Sequence, residues 1–464
     1  MRKKFSLLVL SVFAAFLLAG GAAWAGENIT YPGTGTPPAL REDPLGWWDR
    51  SDILYPNGSS GNTVTITAGN IGGIIGAMVE DNNITDNKVF VRDGTMVFAF
   101  GGATDDGAVE RNSVEVSAGK VDRAWGGVTE EGTAAHNNVK VSGGIVEVVF
   151  GGRTAPNGEA TGNSVMISGG TVRYINGGNS ENGNVTGNTV TVSGGTVDDE
   201  IGYGNTGING GWASEGNVTG NTVTISGGTV KGEVKGGHTN NGNASNNTVT
   251  ISGGMVNNQV KGGHAQDGNA TNNTVNISGN PLFNSEKTWI SGGDSVTSGT
   301  IGGNTLNIGN SDAGGTISGN ILNINNYSGV STIKGLNNFQ IFNFTITAQS
   351  KPLKVAELVS LQGAKIAIVF PVGYSSEFKG KTLEELLTDV IDADLENIPS
   401  EVGAKIGREN YVLKLTNGTV TDVEVLEPDP KPGDGGCDTG AGIFGALTLI
   451  TGLLAARGFG KKKP

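Results

Sequence analysis

Short runs in which every second residue is apolar recur along most of this chain: Val64-Thr65-Ile66, Val89-Phe90-Val91, Val114-Glu115-Val116 and their successors. Alternation of this kind over about four residues predicts a strand with one buried face. Each run follows an Asn and is closed by a glycine turn, most regularly in Asn221–Gly237 (NTVTISGGTVKGEVKGG) and its near copy Asn247–Gly263 (NTVTISGGMVNNQVKGG). Aligned on that Asn, the units begin at Asn62, Asn87, Asn112, Asn137, Asn163, Asn188, Asn221, Asn247, Asn273, Asn304 and Asn320, mostly 25 or 26 residues apart. A unit recurring at a fixed step is a stacking element.

Within a unit, Val-x-Val/Ile leads to Ser-Gly-Gly, then x-Val, an apolar residue, a second Gly-Gly and a short Ala/Val-Thr segment. Three strands this short make no sheet within one unit, but each pairs in parallel with its counterpart in the next. The predicted fold is therefore all-β, a parallel β-helix solenoid of about 25 residues per coil, right-handed by the general preference of crossover connections. Gly-Gly twice per unit excludes helical repeats, and no Leu ladder supports a leucine-rich repeat. At roughly 4.8 Å per coil, eleven coils make a rod on the order of 50 Å long.

The alternation places Val64/Ile66, Val89/Val91 and the equivalent pairs to Val275/Ile277 inside, with Val97, Val121, Val146, Val172, Val197, Val230 and Val256 as a further internal row. The Asn column has two readings, an amide ladder between coils or residues chosen for left-handed turns.

Boundaries follow from where this register starts and stops. Residues 26–61 hold five prolines and Trp47-Trp48 and are read as an N-terminal cap, 62–329 as the array, 330–427 as a C-terminal cap region with a helix over Thr382–Leu395, and 428–440 as a Pro/Gly linker. Gly202–Ser214 reads as an inserted loop carrying Tyr203 and Trp212. Residues 441–464 form an apolar span, predicted helical, with a basic end.

Composition supports many short strands and tight turns: 79 of 464 residues are Gly and charged residues are only 16%. The net charge of −13 disfavours nucleic acid as a partner. The single cysteine, Cys437, leaves no intrachain disulfide to hold the fold. Met1–Ala25 combines a basic start, an apolar run and Ala23-Trp24-Ala25, the pattern of a Sec-type secretion signal cut after Ala25.

At the other end, Gly435-Gly436-Cys437, the uncharged span Ala441–Ala456 and the basic terminus Lys461-Lys462-Lys463 resemble C-terminal sorting tails of the GlyGly-CTERM and Synerg-CTERM kinds. That resemblance implies cleavage near Cys437 by a membrane sorting peptidase and delivery of the body to the cell surface. A plain membrane anchor is the alternative. The array resembles the β-helical passengers of autotransporter and adhesin-like bacterial surface proteins, which implies a structural or adhesive role with glycans or other surface molecules as partners. It departs from them in having no C-terminal run of barrel strands.

No Walker loop, His/Cys metal spacing or G-x-S-x-G element is present, and no cofactor is expected. Three columns carry candidate chemistry. Phe100, Trp125 and Phe150 point outward by alternation, either as a sugar-stacking platform or as rings covered by another segment. Glu233, Lys235, His238, Lys261 and His264 stand in adjacent coils. They are either stacked polar residues of a solvated face or, if a polysaccharide lyase or glycoside hydrolase is present, its acid–base groups. Asp105-Asp106, Glu130-Glu131, Glu181 and Asp267 fall in one turn, as a calcium column or ordinary solvated turns.

Overall fold

The computed structural model describes residues 26–31, 52–198, 207–295 and 317–429. The signal segment, Trp47-Trp48, Asn304 and everything from 430 on, including Gly435, Gly436, Cys437 and the apolar tail, lie outside them. The chain is a parallel β-solenoid of about eleven turns, as the alternation predicts. One sheet stacks the Val-x-Val strands from Asn28–Tyr31 through Thr63–Ile66 to Glu401–Ile406 in unbroken parallel pairing. A second carries the strands after Ser-Gly-Gly, such as Lys120–Trp125 and Ile145–Thr154, and a third the two-residue Ala/Val-Thr strands.

The two predicted Val/Ile ladders are internal and almost wholly buried. The third row is corrected at its start. Val121 pairs in register with Met96, so Met96 takes the internal place and Val97 packs outside. Residues 26–61 are more than a cap, since Asn28–Tyr31 and Ile53–Leu54 already pair in parallel with the first repeat.

The Asn column is an amide ladder. Each Nδ2 donates to the next coil's Oδ1, from Asn62 to Asn87 at 2.8 Å through Asn188 to Asn221 at 2.9 Å. The same Oδ1 accepts the preceding Asn's backbone N–H, 2.9 Å for Asn188 to Asn221. The second amide hydrogen reaches a carbonyl of the short-strand sheet, as from Asn188 to Ala160 at 2.9 Å. The left-handed residue is the one before each rung, such as Asp86, Arg111 and His136 at φ of 61°, 54° and 55°. Asn273 bonds directly to Asn320, so the coil passes over Asn304 and the step is 47 residues.

The second Gly-Gly explains the cross-section. A Cβ on Gly151 would lie 2.2 Å from the Gly177 carbonyl and 3.0 Å from the Asn163 Cβ, and one on Gly152 would lie 2.6 Å from the Asn163 amide. The backbone therefore presses inward against the Asn ladder and pinches the interior into two lobes. The large lobe is lined by the Val/Ile ladders, and the small one by groups such as Ala160, Val185, Ala213 and Val218. Outside, the same inward bend makes a side-chain-filled cleft in which residues flanking the glycines, such as Phe100, Ala103, Trp125, Val128 and Phe150, pack together.

Beyond 330 the parallel coil continues to Glu401–Ile406, past the boundary expected at 329. The helix is only Leu383–Leu387, N-capped by Thr382 with a Thr382/Glu385 capping box. The rest of the expected helix holds Ile391–Asp392 and Leu395–Glu396, which pair in parallel with Leu353–Val355 and Val359–Ser360. The spacing of apolar residues there fits either element, and pairing with an existing strand decides. Antiparallel strands Glu409–Thr416 and Thr419–Leu426 follow.

Candidate functional site

Register turns the scattered candidates into two rows, one on each wall of the cleft. The residue before each Gly-Gly, and before Gly76-Ala77 in the first unit, makes the first row: Ile75, Phe100, Trp125, Phe150, Asn176, Asn209, Lys235, Lys261 and Ser291. The residue after each of these pairs makes the second: Met78, Ala103, Val128, Arg153, Asn179, Trp212, His238, His264 and Asp294. The aromatic and Lys/His columns are thus two stretches of one cleft, apolar toward the N-terminus and charged toward the C-terminus.

Phe100, Trp125 and Phe150 do point outward, but they are buried, at 0%, 6% and 8% exposure. Phe100 stacks on Trp125 at 4.6 Å and Trp125 on Phe150 at 5.4 Å, and Ile53, Met78, Ala103 and Val128 pack beside them. Arg153 closes the end of this stretch, its guanidinium 5.1 Å from the Trp125 ring. The open-platform expectation is corrected. Rings at coil spacing cover one another, and the pinch brings the second wall against their edges. An open cavity of about 460 Å³ at the N-terminal end is lined by Tyr55, Asn57, Met78, Glu80, Asp81 and Asn82, among others.

Gly207–Ala213 is a paired strand rather than a loop, and it brings Trp212 into the second row beside His238. Tyr203 lies outside the described residues. The polar candidates do not project separately into solvent. Lys235 Nζ contacts Glu233 Oε2, Lys261 Nζ stands 4.0 Å from Glu233 Oε1 and 2.9 Å from Asp294 Oδ2, and His264 Nδ1 is 3.0 Å from the same Oδ2. The rings of His238 and His264 meet edge-on at 4.8 Å. A solvated face is therefore corrected to a buried network.

Burial raises the Asp294 and Glu233 carboxyls, but His264 and Lys261 at the first, and Lys235 and Lys261 at the second, outweigh it and hold both below the usual range. Burial lowers Lys235, with Glu233 opposing. It also drives His238 far below its ordinary value, helped by the neighbouring Lys235. Upstream, burial pushes the Tyr174 hydroxyl up to about 12.

Several buried polar atoms in the cleft have no hydrogen-bond partner among the described residues: Trp125 Nε1, Asn176 Nδ2, Trp212 Nε1, His238 Nδ1 and Asp294 Oδ1. Asn304 hides Asp294 from sequence reasoning, because it offers a nearer start for the next unit than Asn320, the actual partner of Asn273. The usable signal is the residue after Gly292-Gly293, matching His264 after Gly262-Gly263. Among the described residues no group of three or more His, Cys, Asp or Glu could hold a metal ion, the acidic turns included.

The network has a pH consequence. His238 and His264 are both held below the ordinary imidazole value of 6.5, so below that pH the unfolded chain binds protons that the folded chain refuses. Their contribution is complete above that value and is lost as pH falls toward their folded pKa. We expect stability to drop by up to about 1.4 kcal/mol per pH unit for each His. Urea midpoints measured from neutral to mildly acidic pH should fall, and less steeply for His238→Gln. An equal slope in both proteins would refute the assignment.

No family model matches this chain, and neither a curated protein nor a solved structure matches it.

Proposed function

We propose that this is an exported, surface-displayed β-solenoid with a structural or adhesin-like role and no catalytic activity. The observation that carries this reading is that Glu233, Lys235, Lys261, His264 and Asp294 pair with one another, with Lys235, Lys261 and Asp294 at or below 6% side-chain exposure. A general acid or base must reach its substrate proton, and these groups are already engaged and covered. Export rests on Met1–Ala25, and sorting or anchoring on Gly435-Gly436-Cys437 and the basic-ended tail. The cavity at Tyr55, with Asn57, Glu80, Asp81 and Asn82, supplies the ring and polar groups that suit a glycan.

The test is a glycan array of the full chain and its Tyr55→Ala variant. Binding by the first and at least tenfold weaker binding by the second is expected. No binding by either removes the adhesive half of the reading.

One observation favours a second reading, a polysaccharide lyase or glycoside hydrolase. Five ionisable groups converge within 4.0 Å contacts beside His238 Nδ1, which has no partner among the described residues. Depolymerisation of acidic polysaccharides that disappears in His238→Ala would establish that reading.

A further inference from the structure

Lys261 and Asp294 hold positions that an ordinary ion pair does not explain. Their coils are adjacent, Nζ lies 2.9 Å from Oδ2, and the side chains are 6% and 2% exposed. Taking two charges out of water to this extent costs more than the attraction usually returns unless every lone pair is satisfied. Among the described residues that condition fails, because Asp294 Oδ1 is buried with no partner there. A second carboxylate, Glu233, stands 4.0 Å from the same Nζ, and His264 Nδ1 holds Oδ2 at 3.0 Å. An amine fixed against a carboxyl group, with a neighbouring base and a proton donor on one carboxyl oxygen, is the arrangement for intramolecular condensation, where fixed proximity replaces an encounter.

We propose that Lys261 and Asp294 join in an isopeptide bond that staples two coils together. Nζ gives up two protons and attacks Cγ, and the Nζ–Cγ bond forms as the Cγ–Oδ2 bond breaks. Oδ2 leaves with both protons as water, and Oδ1 becomes the amide carbonyl oxygen. Ammonium plus carboxylate gives amide plus water, so no oxidant, cofactor or external proton is needed. Glu233 relays the first proton from Nζ, and His264 assists departure of Oδ2 through its existing hydrogen bond. The product removes both buried charges. It also gives the fold a covalent tie that its single cysteine cannot supply within the chain. This proposal is independent of glycan binding. It makes the charged cluster a self-processing structural element rather than a substrate site.

Peptide mapping of the full chain decides it. Trypsin should fail to cut after Lys261, and peptide 236–287 should appear joined to peptide 288–334, one water lighter than their sum. Lys261→Arg and Asp294→Ala should yield only separate peptides. Because those variants could misfold, the wild-type map is decisive by itself, and separate unmodified peptides there overturn the proposal. Glu233→Gln should leave the pair unjoined, and full joining in that variant would overturn the role given to Glu233.

Discussion

Asn188→Ala should destabilise the fold by about 3–5 kcal/mol. The Asn188 Oδ1 accepts the Asn163 backbone N–H at 2.8 Å and the Asn163 Nδ2 at 3.0 Å, while its own Nδ2 reaches Asn221 Oδ1 and the Ala160 carbonyl. Alanine leaves two buried donors on Asn163 unmade, at about 1–3 kcal/mol each, and adds a void between the lobes. The comparison that isolates burial is Asn243→Ala. Asn243 also bonds along the axis, to Asn217 Oδ1 at 3.0 Å, but at the exposed turn. Water replaces what is lost there, and about 0.5–1 kcal/mol is expected. Urea unfolding followed by circular dichroism measures both, and similar midpoints for the two variants would mean that the internal ladder contributes no more than a surface turn.

Gly177→Ala should cost more than about 3 kcal/mol, although alanine is elsewhere among the mildest replacements. The added methyl would sit 2.2 Å from the Gly210 carbonyl and 3.1 Å from the Asn188 Cβ. Neither is the end of a movable side chain, so two coils must part and the cleft must flatten. Gly187→Ala is the control. Its φ of 66° strains any L-residue, but nothing lies within 4 Å of the new methyl, and about 1 kcal/mol is expected. Thermal unfolding of the pair should place Gly177→Ala well below Gly187→Ala. The reverse order would show that the pinch is not held by close backbone approach.

The solenoid was legible because its determinants are local and repeated: Val64/Ile66 and its successors alternate over four residues, and the second Gly-Gly returns on schedule. The Asn ladder could be proposed but not separated from a turn preference, since the left-handed residue, His136 for instance, lies one position earlier. The site was legible only in its members. That Trp125 and Lys235 belong to one row depends on register across several coils, and that both are buried depends on the inward bend at Gly-Gly. Asp294 is marked only by the Gly292-Gly293 before it, because its coil is closed by Asn320 rather than Asn304.

The ladder accepts partners 25, 26, 33 or 47 residues apart with the same bond geometry. Rung spacing is set by the backbone of neighbouring coils, not by how much chain lies between rungs. Chain length is therefore free to vary where the ladder is not. In sequence, the extra residues of the two long steps, 199–206 and 296–316, precede the strand that starts at Gly207 and follow the one that ends at Ser295. The fold separates a frame that tolerates no change from a flank that can take on new sequence coil by coil.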